Sequence, residues 1–289
     1  MTTARPGSHE DCIAFLKWYL PRVGLHWPGY RRVHRLVCKR LNRRMAELGM
    51  AQLAQYEPWL AEHPDELARI DVMCRIPISR FYRDRDVFQA IGATVLPAAA
   101  EAATRSGAGS VRCWSAGCAS GEEPFTMLLV WHFQVARDWP QLGLRLLATD
   151  ADDVAISRAR AACYAPSSLK DLPRAWVDQA FRRANGLCCL NCTFRNQVEF
   201  VTQDITQGMP DGIFDIILCR NLVFTYFDET QRLRMLSGLV DRLTPRGFLV
   251  LGKHEALPPR SNGLARLSPS LPIYQRSPRE RSVSRLAFP

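Results

Sequence analysis

The chain has 289 residues, an apolar content of 47% and a formal charge of +10, which allows one sizeable core plus a smaller domain in a soluble globular protein. Residues 1–11 are polar and no uninterrupted apolar run reaches bilayer length, so a signal peptide and membrane insertion are both unexpected and a cytoplasmic location is expected. The positive charge fits an acidic partner without choosing between nucleic acid, an anionic membrane face and an acidic protein surface.

From Cys12 to about Phe88 the pattern is helical. Val33, Leu36, Val37, Leu41 and Met45 recur at three- and four-residue spacing, with Arg31, Arg32, Arg35, Lys39, Arg40, Arg43 and Arg44 mostly opposite them. The result is an amphipathic helix with a cationic face, which taken alone is most simply a solvated surface. A second helical stretch runs from Met50 towards Leu67, with an Asp65/Glu66 start after Pro64, and a third from Asp84 to Ala103. Residues 1–88 therefore read as a small all-helical N-terminal domain, basic and suited to docking a partner.

After the small-residue linker Ser106–Ser110 the period changes. Val111–Ser115, Leu144–Ala148, Val198–Val201, Phe214–Cys219 and Phe248–Leu251 read as short apolar strands separated by helical stretches. Strands alternating with helices predict an α/β fold over residues 89–275, a doubly wound, mostly parallel sheet of Rossmann-like type. Asn185–Phe200 reads as a small β-hairpin excursion. Residues 276–289, rich in Ser, Pro and Arg, read as a disordered basic tail.

Ten cysteines are scattered in mostly apolar surroundings, such as Cys113 in VRCWSAG and Cys219 in IILCRN, and reduced thiols are expected. Cys188, Cys189 and Cys192 contain one C-x-x-C spacing with no second pair to complete a tetrahedral site, so no metal is expected.

Doubly wound sheets bind ligands beyond the carboxyl ends of their strands. The first strand ends in WSAGCASGEEP, where Ala116, Gly117 and Gly121 allow close approach of a ligand to the backbone. The loop is neither G-x-G-x-x-G nor a P-loop, and Glu122 and Glu123 would repel phosphate. Alone, those two acids would be explained by the helix dipole. The second strand ends at Asp150, placed to accept ribose hydroxyls, although a lone Asp there could equally cap a helix. Gln203-Asp204-Ile205 follows the third strand, in a position to meet an adenine edge, and the fourth delivers Arg220 and Asn221 to the same rim. An adenosine cofactor without phosphates and with a cationic sulfonium suits this mixture, and S-adenosylmethionine meets that description.

WSAGCASGEEPFT, ATDADDVAISRARAACY, FDIILCRNLVFTYFD and LGKHEALP, in this order and spacing, together with YRRVHRLVCKRLNRRM, QLAQYEPWL and RFYRDRDVF, resemble the chemotaxis receptor methyltransferases over nearly the whole chain. The resemblance implies an S-adenosyl-L-methionine-dependent enzyme that esterifies glutamate side chains of a protein, with S-adenosyl-L-homocysteine as product. It implies that Arg83 sits against cofactor and methyl acceptor, that Ser79 stands where the family has a threonine, and that Glu122, Asp150, Asp204, Ile205, Arg220 and Asn221 contact the cofactor. Tyr226 matches a family active-site tyrosine, with one extra residue between it and Asn221. Pro77 replaces a usual asparagine.

A glutamate carboxylate is already ionised near neutral pH, so transfer to it needs alignment rather than a general base, and Arg83 suits that task. The expected partner is an acidic helical protein, chemoreceptor-like, and the chain is expected to be a monomer. A methyltransferase with another acceptor and a non-catalytic adaptor are the alternatives. Nucleic acid is not an expected partner, because no aromatic residues interleave the basic helix.

Overall fold

The computed structural model describes residues 9–77, 79–258 and 263–278. The chain divides into two compact units, Met1–Ile78 with Asn221–Arg234, and Ser79–Arg220 with Met235–Pro289. The boundary expected at residue 88 falls inside one helical run, Arg85–Arg105, which belongs to the second unit.

In the first unit, helices His9–Tyr19, His34–Glu47, Leu53–Glu62 and Asp65–Cys74 surround Phe15, Leu16, Tyr19, Leu41, Met45, Tyr56 and Ile70. Val37, Leu41 and Met45 face inward as their spacing predicts. The stretch expected from Met50 towards Leu67 is broken at His63, because the residue before Pro64 is disfavoured in the helical region. The basic row also divides. Arg44 reaches the buried Glu66 with both ends of its fork, at 2.7 and 2.8 Å, and Tyr56 donates to the same carboxylate at 3.0 Å. This guanidinium holds the Glu66 carboxyl below its ordinary pKa. Arg40 donates to the carbonyls of Met73 and Arg75. Arg31, Arg32, Arg35, Lys39 and Arg43 stay exposed.

The second unit holds a seven-stranded sheet in the order β6-β2-β1-β7-β8-β10-β9. Its strands are β1 Ser110–Ala116, β2 Gly143–Asp150, β6 Val198–Thr202, β7 Phe214–Leu218, β8 Leu243–Val250, β9 Leu264–Ser268 and β10 Leu271–Arg276. The first five are mutually parallel and β10 runs antiparallel to β8. The doubly wound, mostly parallel fold is therefore confirmed. Strand order reverses at β1, which pairs β2 on one side and β7 on the other, so the crevice at the carboxyl ends of β1, β2 and β7 is where this fold places a ligand.

Arg85–Arg105 is a 21-residue helical run whose most apolar 18-residue window has a mean hydropathy of 1.2, enough by length and composition to cross a membrane, although Gln89 and Glu101 interrupt it and no uninterrupted apolar run of that length occurs. Its apolarity has a packing cause, since Val87, Phe88, Ile91, Val95, Leu96, Ala99 and Ala100 are buried in the core of this unit.

A separate sheet, order β3-β5-β4, is formed by β3 Cys163–Tyr164, β4 Phe181–Ala184 and β5 Leu187–Leu190. Its hairpin turns at Asn185-Gly186, both left-handed, so it lies earlier than the excursion expected over 185–200. Four cysteines depart from the expectation of reduced thiols. Cys12 pairs with Cys38 across two helices, and Cys163 with Cys189 directly opposite across β3 and β5. Helix packing and strand register bring these partners together, and neither is visible in sequence spacing. Cys192 is exposed and unbridged. Of the tail expected over 276–289, Arg276 closes β10 and residues 279–289 lie outside the described residues.

Candidate functional site

The loop after β1 is shaped by three left-handed residues in five positions, Gly117 (φ 74°), Ala119 (φ 49°) and Gly121 (φ 91°). Ala119 is the costly one, since a Cβ in this region costs about 1–2 kcal/mol. The neighbouring strand holds it. Gly117 and Cys118 donate to the Thr149 carbonyl at 2.8 and 3.0 Å, and Ala119 donates to Asp150 Oδ2 at 2.8 Å. Asp150 Oδ1 accepts from the Asp152 N–H at 2.9 Å, so this carboxylate is fixed in orientation at the end of β2. Capping of the following helix falls to Asp152, whose side chain accepts from Val154 and Ala155; the simpler account of Asp150 as the cap is wrong.

Gly121 leads into the helix Glu122–Val130. An added Cβ there would meet Ala159 at 3.0 Å, the Tyr164 hydroxyl at 3.1 Å and Phe125 at 3.2 Å, so close packing as well as backbone angle requires glycine. Glu122 and Glu123 then separate in role. Glu122 is 6% exposed, with Oε2 buried and lacking any hydrogen-bond partner. Burial pushes its pKa up, while the Ser79 side chain, hydrogen-bonded to it, pulls the other way. A carboxylate with a buried unsatisfied oxygen is costly unless a cationic or donor group completes it. The helix dipole does not account for that.

Glu123 faces a different set of groups. Ser115 Oγ donates to Oε1 at 2.8 Å, and the Arg220 guanidinium pairs with Oε2 at 3.0 Å. Burial pushes its pKa up against the opposing pull of Arg220, Ser115 and Arg83. Arg220 also donates to the Arg83 carbonyl and to Asp84 Oδ2, both at 2.8 Å, and lies over the Phe88 ring. Its side chain is 2% exposed, with Nε buried and without a hydrogen-bond partner, and these contacts fix the segment that carries Arg83.

That segment is itself strained. Tyr82 (φ 55°) and Asp84 (φ 60°) are both left-handed and flank Arg83. The Tyr82 N–H donates to the buried Thr126 Oγ1 at 3.0 Å, Phe81 donates to the Ser168 carbonyl at 3.1 Å, and Arg220 grips the chain from below. Such conformations persist where surroundings over-determine them, and they concentrate at functional sites. Arg83 is half-buried and close enough to lower the pKa of Glu123.

Beyond β6, Gln203 donates to the Asp150 carbonyl at 2.9 Å, tying Asp204 and Ile205 to the end of β2. Asp204 Oδ1 accepts from the Thr206 N–H and hydroxyl at 2.8 and 2.7 Å, closing its own turn. The second unit thus brings together Ser79, Glu122, Asp150, Asp204, Ile205, Ala116, Gly117 and the Arg83 segment around the ends of adjacent strands. Asn221 and Tyr226 belong to the first unit. Asn221 is left-handed (φ 55°), and Tyr226 ends the short helix Val223–Tyr226 with its ring 5.1 Å from Tyr30.

Sequence reading missed Asp84, Ser115 and Thr126, and treated Glu123 as a mere partner of Glu122. The small buried polar residues Ser115 and Thr126 in otherwise apolar elements were the available signal. His254 and Glu255 follow β8, where Glu255 accepts from the Gly252 N–H at 2.7 Å.

The carboxylates here fit an adenosyl sulfonium cofactor. The buried orphan oxygen of Glu122 suits an ammonium group, and the acidic loop disfavours phosphate. Residues 78–270 match the family described as CheR methyltransferase, SAM binding domain. The chain is 30% identical over 242 residues to an uncharacterized 104.1 kDa protein of Rhodobacter capsulatus, covering 83% of this chain and 25% of that protein. It is 30% identical over 154 residues to chemotaxis protein methyltransferase 2 of Vibrio cholerae, covering 51% and 52%. With a probable chemotaxis protein methyltransferase of Rhizobium etli it shares 27% identity over 227 residues, covering 76% and 83%. It thus spans about a quarter and about half of the first two relatives. The solved N-methyltransferase NodS from Bradyrhizobium japonicum aligns at 18% identity with a TM-score of 0.31, covering 56% of this chain and 60% of that one.

Proposed function

We propose that this chain, which belongs to the CheR methyltransferase family, transfers the methyl group of S-adenosyl-L-methionine to glutamate side chains of a protein partner. The observation that carries the cofactor half of this reading is the buried, unsatisfied Glu122 Oε2. When bound, the cofactor supplies an electrophilic methyl group on a sulfonium, leaving S-adenosyl-L-homocysteine. Glu122, oriented by Ser79, holds the amino group of the methionyl part by a charge-assisted bond. Asp150 accepts the ribose hydroxyls, and Asp204 with Ile205 borders the adenine. Ala116 and Gly117 admit the ligand close to the backbone.

On the acceptor side, Arg83 orients the glutamate carboxylate, which needs no base because it is already ionised near neutral pH. Too tight a grip would stabilise the ground state as much as the transition state, so its contribution is alignment. Asn221 and Tyr226 enter this proposal on the family resemblance. The exposed row Arg31, Arg32, Arg35, Lys39 and Arg43 suits an acidic helical partner, a chemoreceptor-like signalling protein in the cytoplasm.

Tritiated methyl transfer to a chemoreceptor cytoplasmic domain tests the proposal. Base-labile, volatile radioactivity on the receptor is the expected result. Cofactor binding with no transfer to any receptor would redirect the proposal to another acceptor, and no transfer to any acceptor at all would reduce the chain to an adaptor.

A further inference from the structure

Tyr164 lies outside every residue assigned above, yet it touches both halves of the site. Its hydroxyl donates to the Ser120 carbonyl at 2.7 Å, in the loop between β1 and Glu122. The same oxygen is one of the atoms that exclude a Cβ from Gly121. Its ring meets Phe81 edge-on at 4.8 Å, two residues before Arg83. Phe81 is fully buried, its other side packed edge-on against Phe181 at 5.4 Å. Tyr164 itself is 5% exposed and pairs within the small sheet through β5.

We propose that Tyr164 is a positioning residue that locks the Ser120–Glu122 turn for cofactor binding and, through Phe81, couples that turn to the Arg83 segment. This rests on the functional reading above. The turn contains Gly121 in a left-handed conformation and ends at Glu122, so the Ser120 carbonyl fixes the angle at which the Glu122 helix begins. A half-buried carbonyl that loses its donor is left unsatisfied at a cost, and here a shifted turn relieves that cost. The shift displaces the carboxylate that meets the ligand. Ring and hydroxyl therefore act on different partners, the hydroxyl on the cofactor loop and the ring on the strained Phe81–Asp84 segment.

The two contacts separate by substitution. Tyr164→Phe keeps the ring, and is expected to raise the dissociation constant of S-adenosylhomocysteine about fivefold or more in calorimetry, while kcat at saturating cofactor stays within about twofold of wild type. Tyr164→Leu loses the edge contact as well and is expected to lower kcat about tenfold further. Phe181→Leu loosens the same apolar region without touching the loop, and its affinity for S-adenosylhomocysteine should stay within about twofold of wild type at a comparable loss of melting temperature. Equal affinities of Tyr164→Phe and wild type would overturn the proposal, as would weakening of equal size in Phe181→Leu. A kcat for Tyr164→Leu equal to that of Tyr164→Phe would overturn the coupling to Arg83. A wild-type protein that does not bind S-adenosylhomocysteine would instead end the functional reading itself.

Discussion

Two adjacent glutamates show how far chemistry at one residue departs from its neighbour's. Glu122 and Glu123 both open a helix, yet Glu123 is matched by Arg220 and Ser115 while Glu122 retains an unsatisfied oxygen. With its pKa raised by burial, Glu122 takes up its proton at a higher pH than an ordinary carboxyl does. The ligand-free protein therefore gains stability from this group as pH falls through the raised value, because the folded state then binds the extra proton. Ligand binding runs the other way, since an ammonium group pairs with the ionised form. Affinity for S-adenosylhomocysteine should fall as pH drops from neutral towards the ordinary carboxylate range, and Glu122→Gln should remove most of that dependence. Calorimetric titrations across pH give the answer. Arg83→Ala, by contrast, should abolish methyl transfer and leave cofactor affinity within a few-fold, as radiolabel transfer beside binding would show.

At the level of elements, the buried network joining β7 to the Arg83 segment explains why that segment tolerates two left-handed residues. Arg220→Met should destabilise the protein by about 3–5 kcal/mol, because Glu123 is left buried without its partner. Urea unfolding measures this, and a loss below about 1 kcal/mol would show that Glu123 finds another partner. The parallel strands were legible because a strand buried on both faces is a short apolar run, as in Phe214–Leu218. The hairpin β9–β10 escaped notice because its residues neither alternate nor form an apolar run, and Pro272 inside β10 disguises a strand near the sheet edge. Glu122 and Asp150 were legible as residues following strand ends, and Ser79 only through the family resemblance. Arg220 was legible as a residue at a strand end, while the direction of its side chain depends on Asp84 and Glu123, 136 and 97 residues away.

Across the whole molecule, the formal charge of +10 is carried unevenly. Arg40 and Arg44 are spent on internal contacts, whereas Arg35 and Lys39 stand exposed on the helix His34–Glu47. Exposed charges steer association and are screened by salt. Arg35→Glu with Lys39→Glu should lower kcat/KM for an acidic receptor domain about tenfold at low ionic strength and less at high salt, with affinity for S-adenosylhomocysteine within about twofold of wild type. Methylation rates at two salt concentrations check this, and an effect independent of salt would place the partner elsewhere. The fold and the cofactor loop support the proposal that an adenosyl ligand is held by one orphaned carboxylate. Titration of S-adenosylhomocysteine into the wild-type protein and into Glu122→Gln by calorimetry tests that claim most directly: saturable binding at one site, weakened about tenfold or more by the substitution, is the predicted result, and absence of binding, or equal affinity in both proteins, would contradict it.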